Sequence, residues 1–230
     1  MEGRYERNFP ALSHEEGMRL GKSRVCVAGC GGLGGGVIEG LVRMGAGKVK
    51  AVDGDVFDET NLNRQVLSHE ENLGRWKASE AALQMKKVNS LVEVIPVKGF
   101  IDRENAEEII KGADLAVDAL DNIRGRKVLE AACERLGIPL IHGAIAGWMG
   151  QVSVIMPGDR IIERLYQGEE DRGDEVHTGT PYFTPALVSA IETAEAVKLL
   201  TGRESPLRSR LLTVDLLTWE YEITDFGGEK

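Results

Sequence analysis

Residues 24–53 read RVCVAGCGGLGGGVIEGLVRMGAGKVKAVD, and this stretch decides the fold. Residues 24–28 are apolar and β-branched and predict a strand, and residues 37–44 carry apolar side chains at helical spacing. Residues 49–52 predict a second strand, which ends at Asp53. A strand, a glycine turn, a helix and a strand in this order form a βαβ unit, and such a unit implies a parallel sheet.

The alternation of helix and strand patterns continues through the first two thirds of the chain. Helices are predicted at residues 77–89, 103–111 and 124–136, and strands at residues 92–96, 115–119 and 139–142. We therefore expect an α/β fold with a Rossmann-like, doubly wound, mostly parallel sheet.

The pattern changes after Gly147. Residues 151–156 predict a strand half exposed to water, whereas residues 157–184 are polar, rich in glycine and acidic residues, and without periodicity. Long stretches of this kind are typical of lids or disordered segments. An amphipathic helix is predicted at residues 185–200, with Leu187, Ile191 and Ala194 on one face. Residues 211–216 and 219–224 predict a C-terminal antiparallel hairpin.

Composition excludes several classes of protein. Hydrophobic and charged fractions of 42% and 28% are ordinary for a globular protein, and the net charge of −9 argues against a nucleic-acid surface. We find no signal peptide and no apolar run long enough to span a membrane, so a cytoplasmic location is expected. The three cysteines have no C-x-x-C spacing, so neither a disulfide framework nor a zinc site is predicted.

A glycine cluster between the first strand and helix predicts a phosphate site. Gly29, Gly31 and Gly34 have the G-x-G-x-x-G spacing, with Gly32 between them. Such glycines let the backbone approach a phosphate, which then lies at the helix N-terminus. Asp53 is placed to bond a ribose hydroxyl. These features fit NAD, FAD or ATP equally.

Charged residues that follow the next strands discriminate between these nucleotides. Arg64 and Lys77 could neutralise a triphosphate, and they follow the second strand together with Asp55, Asn61 and Gln65. The pair Asp121-Asn122 follows the strand at residues 115–119, where a carboxylate can hold Mg²⁺ against phosphates. The carboxyl ends of these strands meet at one sheet edge, so ATP with Mg²⁺ is favoured over NAD.

At this point the sequence resembles the MoeB/ThiF/HesA family, the bacterial relatives of ubiquitin-activating enzymes. The resemblance spans nearly the whole chain, and its NLNRQ and DALDN blocks are far more specific than the glycine loop. The matching blocks are RYER (4–7), SRVCVAGCGGLG (23–34), DGDVFDETNLNRQ (53–65), GRWK (74–77), DALDN (118–122), HGAIAGWMGQV (142–152) and EAVKLLTG (195–202).

The resemblance implies a role for each matching residue. Asp53 would bind the ribose, Asn61 and Arg64 the ribose and phosphates, Lys77 the phosphates, and Asp121 the Mg²⁺ with Asn122 beside it. Arg7 resembles the arginine that family members supply from the neighbouring subunit of a homodimer. The expected catalytic residues are therefore Arg7, Arg64, Lys77 and Asp121.

The implied activity is ATP-dependent adenylation of the C-terminal glycine of a small ubiquitin-like sulfur-carrier protein with a Gly-Gly tail. Pyrophosphate would be released, and the product would serve thiamine or molybdopterin synthesis. The implied architecture is one ThiF-type adenylation domain over residues 1–230. Its parts are an N-terminal helical arm (1–22), a nucleotide-binding core (23–147), and a crossover loop, helix and C-terminal strands (148–230). Residues 157–184, the crossover segment, would cover the incoming tail.

The sequence departs from the family pattern in two ways. The zinc-binding C-x-x-C pairs common in the family are missing, so no zinc is expected. The crossover segment contains no cysteine, so a covalent link between this chain and the carrier is not expected.

Three alternatives stay open. A tRNA threonylcarbamoyladenosine dehydratase-like enzyme would adenylate a carboxylate on a modified tRNA base, although the negative charge disfavours this. An NAD-dependent oxidoreductase would need no magnesium carboxylate. A non-catalytic scaffold would have no need of the nucleotide residues.

Overall fold

An eight-stranded mixed sheet organises the computed structural model, which describes residues 3–168, 171, 173 and 175–227. The strands are, in chain order, β1 (Arg24–Ala28), β2 (Lys48–Asp53), β3 (Glu93–Lys98), β4 (Leu115–Asp118), β5 (Leu140–Ala146), β6 (Met149–Ile155), β7 (Arg210–Asp215) and β8 (Glu220–Asp225). Their order across the sheet is β3-β2-β1-β4-β5-β6-β7-β8. Strands β1 to β5 pair in parallel, and the pairs from β5 to β8 are antiparallel. The predicted Rossmann-like fold with an antiparallel C-terminal extension is confirmed.

Helices cover both faces of the sheet. They are, in chain order, α1 (His14–Leu20), α2 (Gly32–Met44), α3 (Lys77–Val88), α4 (Ala106–Ile110), α5 (Ile123–Leu136), α6 (Ile161–Leu165), α7 (Glu175–Thr178) and α8 (Phe183–Thr201). On β1, Val25 and Val27 pack with α2, α3 and α8, whereas Cys26 and Ala28 pack with α4, α5 and α6. Side chains of a strand point alternately to opposite faces, so a strand covered on both faces is apolar throughout.

The site-forming crevice lies where the strand order changes direction. From β1 the chain continues to β2 and β3 on one side, and it later returns to β4 and β5 on the other. In the register of the sheet, Ala28 lies beside Val52 of β2 and Asp118 of β4. The loops that follow these three strands therefore leave the sheet side by side, as ligand-binding loops do at such a switch point.

The helix predicted at residues 103–111 is shorter than expected. The Asp102 carboxylate, just before this range, accepts hydrogen bonds from the Glu104 and Asn105 backbone amides at 2.8 and 2.9 Å. These bonds stabilise a turn, because an aspartate side chain readily accepts hydrogen bonds from nearby backbone amides. Helix α4 consequently begins only at Ala106.

The strand predicted at residues 151–156 is not half exposed. It is β6, and Val152, Ser153, Val154 and Ile155 are all buried. Helix α8 packs on one face of β6, and Ile155 on the other face joins the apolar cluster that includes α6. The prediction was wrong because the alternation of residues along the strand does not reveal that both faces of β6 are covered.

The crossover segment is more regular than its composition indicated. It contains α6 and α7, although residues 169, 170, 172 and 174 lie outside the described residues. The segment starts on the α5 face, where the Glu130 carboxylate accepts bonds from the Ile162 and Glu163 amides. It then reaches the carboxyl edge of β5, where the Gly147 amide donates to the Gly179 carbonyl at 2.9 Å.

Helix α8 buries a different face from the one predicted. Ala194 is exposed and Leu187 and Ile191 are only partly buried, whereas Val188, Glu192 and other residues of the next face are buried. Within the described residues, no helix is both long and apolar enough to cross a lipid bilayer.

Candidate functional site

The glycine loop between β1 and α2 is built by close backbone packing. Gly29 has φ +101°, and a Cβ there would lie 2.4 Å from the Ala119 carbonyl oxygen. A Cβ on Gly34 would lie 1.8 Å from the Gly29 carbonyl oxygen. Gly31 precedes α2 and offers no side-chain cap. The N–H groups of the first helical turn therefore face outward without a side-chain acceptor, which suits an anion.

A cavity of about 330 Å³ opens at the carboxyl ends of the central strands. This volume lies near the lower end of the ~300–1,000 Å³ typical of ligand pockets. Most of the residues predicted from the sequence share its wall. They are Gly29, Gly31, Gly32, Asp53, Asp55, Arg64, Lys77, Asp121 and Asn122.

Asp53, at the end of β2, holds two loops of the cavity together. One carboxylate oxygen accepts the Cys30 amide at 2.7 Å, and the other accepts the Asp55 amide at 2.8 Å. Burial raises the pKa of Asp53, while these two hydrogen bonds and the nearby Lys77 ammonium oppose the rise. Asp53 thus shapes the glycine loop in addition to lining the cavity.

Lys77 and Arg64 are two of the cations in the cavity wall. Lys77 begins α3 and is buried, with its Nζ 3.5 Å from a carboxylate oxygen of Asp55. Arg64 is half-buried and donates from Nη1 to the Thr60 carbonyl at 3.0 Å and to the Asn63 side chain at 2.9 Å. Burial lowers the pKa of Arg64, and the charge of Asp121 opposes this.

Asp121 and Asn122, which follow β4, also line the cavity. Asn122 is the N-cap of α5, and its side-chain oxygen accepts the Gly125 amide at 2.7 Å. Its side-chain nitrogen lies 3.4 Å from a carboxylate oxygen of Asp121. The Asp121 carboxylate is exposed, lines the same cavity as Arg64 and Lys77, and lies close enough to Arg64 for its charge to act on the guanidinium. No cluster of three or more His, Cys, Asp or Glu side chains suited to a metal occurs among the described residues.

Three predicted site residues do not line the cavity. Gly34 lies behind the glycine loop and allows α2 to pack on Gly29. Asn61 is buried, and its side-chain oxygen accepts the Asp58 amide at 3.1 Å, so it shapes the loop that carries Arg64. Arg7 is exposed on the 3-10 helix Gly3–Asn8, outside the cavity of its own chain.

The sequence prediction missed several residues of the wall. Phe100, Ile101 and Leu120 supply an apolar surface, and Arg126 is a buried cation one helical turn beyond Asn122. Gln65, named beside Arg64 from the sequence, is buried in the wall, and its Oε1 has no hydrogen-bond partner among the described residues. The i, i+4 spacing of Asn122 and Arg126 on a predicted helix was the available signal for the arginine.

All three cysteines are buried. Burial raises the pKa of Cys26 to about 12, and burial together with the charge of Asp53 raises the pKa of Cys30 well above its usual range. The Cys30 thiol is therefore protonated and unreactive at neutral pH, even though it lies in the glycine loop.

Comparison with known proteins identifies the family. Residues 5–228 match the ThiF family model. The chain is 36% identical over 211 residues to the "SAMP-activating enzyme E1" of Haloferax volcanii, covering 90% of this chain and 78% of that protein. It is 36% identical over 225 residues to the "Sulfur carrier protein adenylyltransferase" of Thermus thermophilus, covering 93% of this chain and 83% of that one.

The fold also has close structural neighbours. The crystal structure of E. coli MccB with ATP superposes with a TM-score of 0.81 at 21% identity, covering 100% of this chain and 72% of that one. At this identity the likeness concerns the fold. The family match over nearly the whole chain and the adenylyltransferase relatives are the stronger evidence. The chain belongs to the ThiF family and is an enzyme of the adenylyltransferase class.

Proposed function

We propose that this enzyme uses ATP to adenylate the C-terminal glycine carboxylate of a small ubiquitin-like sulfur-carrier protein. One observation carries the proposal: Lys77, Arg64 and the exposed Asp121 carboxylate surround one cavity, at the open N-terminus of α2. Cations and an exposed carboxylate around an anion site suit a metal-bound triphosphate better than an uncharged ligand.

The cavity offers separate surfaces for the parts of ATP. The base would lie against the apolar wall of Ile101 and Leu120, and Asp53 lies within the cavity for the ribose. The phosphates would face the glycine loop and the first turn of α2, with Lys77 and Arg64 as counter-charges. The Oε1 atom of Gln65 could accept a hydrogen bond from the ligand.

The residues present also fit Mg²⁺, which we propose as the metal. Mg²⁺ keeps several waters and takes only one or two protein carboxylates together with substrate phosphates. Asp121, an exposed carboxylate of the cavity wall with Asn122 beside it, meets this need, whereas the exposed carboxylate of Asp55 lies 3.5 Å from Lys77 Nζ. Bound there, the metal would offset phosphate charge.

The chemistry requires charge neutralisation rather than a general base. A C-terminal carboxylate has a reference pKa of about 3.5 and is already ionised at neutral pH. Its oxygen forms a bond to the α-phosphorus, and the bond from that phosphorus to the pyrophosphate oxygen breaks. An acyl-adenylate and pyrophosphate result. Lys77 and Arg64 hold the phosphates in place and reduce the repulsion between two anions.

The identity of the acceptor is supported by the relatives. One is named for activating SAMP and another for adenylating a sulfur carrier protein. The crossover segment runs over the carboxyl edge of the sheet, where it could cover an incoming tail. We further propose that the adenylated carrier serves thiamine or molybdopterin synthesis. One continuous sheet from β1 to β8 supports the expectation of a single adenylation domain over residues 1–230.

The test is ATP–pyrophosphate exchange with candidate Gly-Gly-ending carriers, added one at a time. We expect exchange with one carrier type, and Asp121→Ala should reduce exchange about 100-fold or more while ATP still binds. Asp114→Ala is the matched control, because Asp114 is an exposed aspartate that pairs with Arg24 at the opposite edge of the sheet. Full exchange by Asp121→Ala would contradict the role of Asp121. No exchange with any carrier would contradict the proposal that a carrier's C-terminal glycine is the acceptor.

One observation favours the tRNA alternative. A second depression beside the site is lined by Arg103, Arg124, Lys127 and Arg135, although the chain is acidic overall. A basic surface of this kind suits phosphate backbones. A tRNA-binding assay at two salt concentrations distinguishes the two acceptors, because phosphate contacts weaken steeply with salt.

A further inference from the structure

The peptide that leads into Asp121 is held from both sides by buried charged residues. The Leu120 amide donates to Asp118 Oδ1 at 3.1 Å. The Leu120 carbonyl accepts two bonds from Arg126, from Nε at 3.1 Å and from Nη2 at 2.8 Å. Asp118 and Arg126 thus fix the backbone immediately before the proposed magnesium carboxylate.

A hydroxyl from the crossover segment completes this arrangement. Arg126 Nη1 donates to the Tyr166 hydroxyl at 2.7 Å, and this hydroxyl lies 3.4 Å from His142 Nε2. His142 Nδ1 in turn lies 2.7 Å from Asp118 Oδ2. Burial lowers the pKa of His142, so the ring is neutral. One tautomer then satisfies every bond, with Nδ1–H donating to Asp118 and Nε2 accepting from Tyr166.

The crossover segment also holds the far side of the same loop. The Asp171 carbonyl accepts the Ile123 amide at 2.8 Å, and its carboxylate accepts the Arg124 amide at 2.9 Å. Tyr166 and Asp171 therefore bracket residues 120–124, with Asp121 between them. Of the two contacts, the Tyr166 hydroxyl is the one that reaches Arg126.

We propose that Tyr166 is a positioning residue: its hydroxyl holds Arg126 against Leu120 and so couples the crossover segment to the placement of Asp121. This proposal rests on the proposed function. Without the Tyr166 hydroxyl, Arg126 would have one fewer fixed hydrogen-bond acceptor. The loop at residues 120–124 could then rotate. The enzyme consequently reaches full activity only when the crossover segment is packed over the site.

The test compares Tyr166→Phe with Tyr182→Phe, an exposed tyrosine of the same segment. Loss of the Tyr166 hydroxyl removes one acceptor of the buried Arg126 and one donor to the buried His142, so we expect about a 5- to 50-fold lower kcat for ATP–pyrophosphate exchange. The KM for ATP should stay within about twofold, because the phosphate cations are untouched. Tyr182→Phe should match the wild type.

Hydrogen–deuterium exchange supplies a second readout that does not depend on activity. The Leu120, Ile123 and Arg124 amides should exchange about 10-fold faster in Tyr166→Phe, with no change in β1 or α2. Unchanged exchange at these amides would overturn the proposal. If the wild type activates no carrier, the proposed function fails, but the amide readout still decides the coupling.

Arg126→Lys extends the test to the partner. Lysine keeps the charge but cannot form the paired bonds to Leu120. If the two residues act as one unit, the double variant Tyr166→Phe with Arg126→Lys should be no slower than the slower single variant. Simple multiplication of the two single effects would overturn the coupling.

Discussion

At the scale of single residues, Lys77 lies in a position that is unfavourable without an anionic ligand. It is only 7% exposed, and its nearest carboxylate, that of Asp55, is 3.5 Å away. It is also the first residue of α3, where the partial positive charge of the helix repels a cation. Burying a charge with so loose a partner reduces stability. We propose that Lys77 is retained because it binds phosphate.

Lys77→Met should therefore separate function from stability. We expect the exchange rate to fall about 100-fold or more, because one charge-assisted phosphate contact is lost. The melting temperature should stay equal or rise, since a buried charge is removed. Lys87→Met, on the exposed face of the same helix, is the control. An exchange rate within about threefold of wild type would contradict the role of Lys77.

At the scale of elements, the glycine run of α2 serves helix packing as well as the proposed phosphate site. A Cβ on Gly36 would lie 2.4 Å from Ser189 Oγ, and one on Gly40 would lie 2.7 Å from Thr193 Oγ1. Both partners are on α8. Gly36 therefore faces α8 and allows the two helices to approach closely.

Gly40→Ala tests this packing. Alanine favours a helix by about 1 kcal/mol over glycine, but the clash with Thr193 should outweigh this and destabilise by about 1–3 kcal/mol in urea unfolding. Adding Thr193→Ala should restore much of the loss, because it removes the two atoms closest to the new methyl group. A stabilised Gly40→Ala variant would show that the two helices do not pack this closely.

Helix α8 also carries a buried acid. Glu192 is fully buried, and neither carboxyl oxygen has a hydrogen-bond partner among the described residues. Burial, reinforced by the charge of Asp118, raises the pKa of Glu192 well above its usual range. The folded protein therefore holds this proton more tightly than the unfolded chain does. As pH rises above about 4.5, the unfolded chain releases the proton first, and stability falls.

Glu192→Gln should remove this pH dependence. The stability advantage of the variant over wild type should grow from pH 5 to pH 8. It should grow by about 1.4 kcal/mol for each pH unit, as long as the pH stays below the pKa of Glu192 in the folded protein. Urea unfolding at both pH values measures the gain, with Glu204→Gln as an exposed baseline. An equal stability difference at pH 5 and pH 8 would mean that Glu192 is ionised when folded.

At the scale of the whole molecule, Arg7 lies at the wrong end of the sheet to serve its own cavity. Its 3-10 helix packs near Gly45, before β2, and Arg4 donates to Asn89 at 2.6 Å. The cavity lies beyond the other end of β2, a strand of six residues. Such a strand spans about 20 Å, farther than an arginine side chain reaches. If Arg7 acts in catalysis, as we propose, it acts in the partner subunit of a homodimer.

Subunit mixing tests this arrangement. Arg7→Ala and Asp121→Ala should each be nearly inactive alone. After subunit exchange at equal amounts, half of the dimers are mixed, and each has one site with both residues intact, so about a quarter of wild-type activity should return. An Arg7 that served its own chain would leave every dimer inactive. The measurement is ATP–pyrophosphate exchange before and after mixing.

The sequence by itself determined the βαβ unit, the parallel sheet and most of the cavity wall. Local periodicity identifies strands and helices, and the parallel arrangement then brings the carboxyl ends of β1, β2 and β4 to one edge. Asp53 and Asp121 each follow a predicted strand closely, so their meeting could be inferred without coordinates.

Only the tertiary structure decided which side chains meet across elements. The link from Arg126 to Tyr166, the contact of Gly40 with Thr193 and the burial of Glu192 join residues far apart in the chain. Periodicity reports local hydrogen bonding and the average polarity of a face, whereas these contacts depend on which layers cover each strand. For the same reason, the roles of Gly34 and Asn61 in shaping the loops became visible only once the helices had been placed on the sheet.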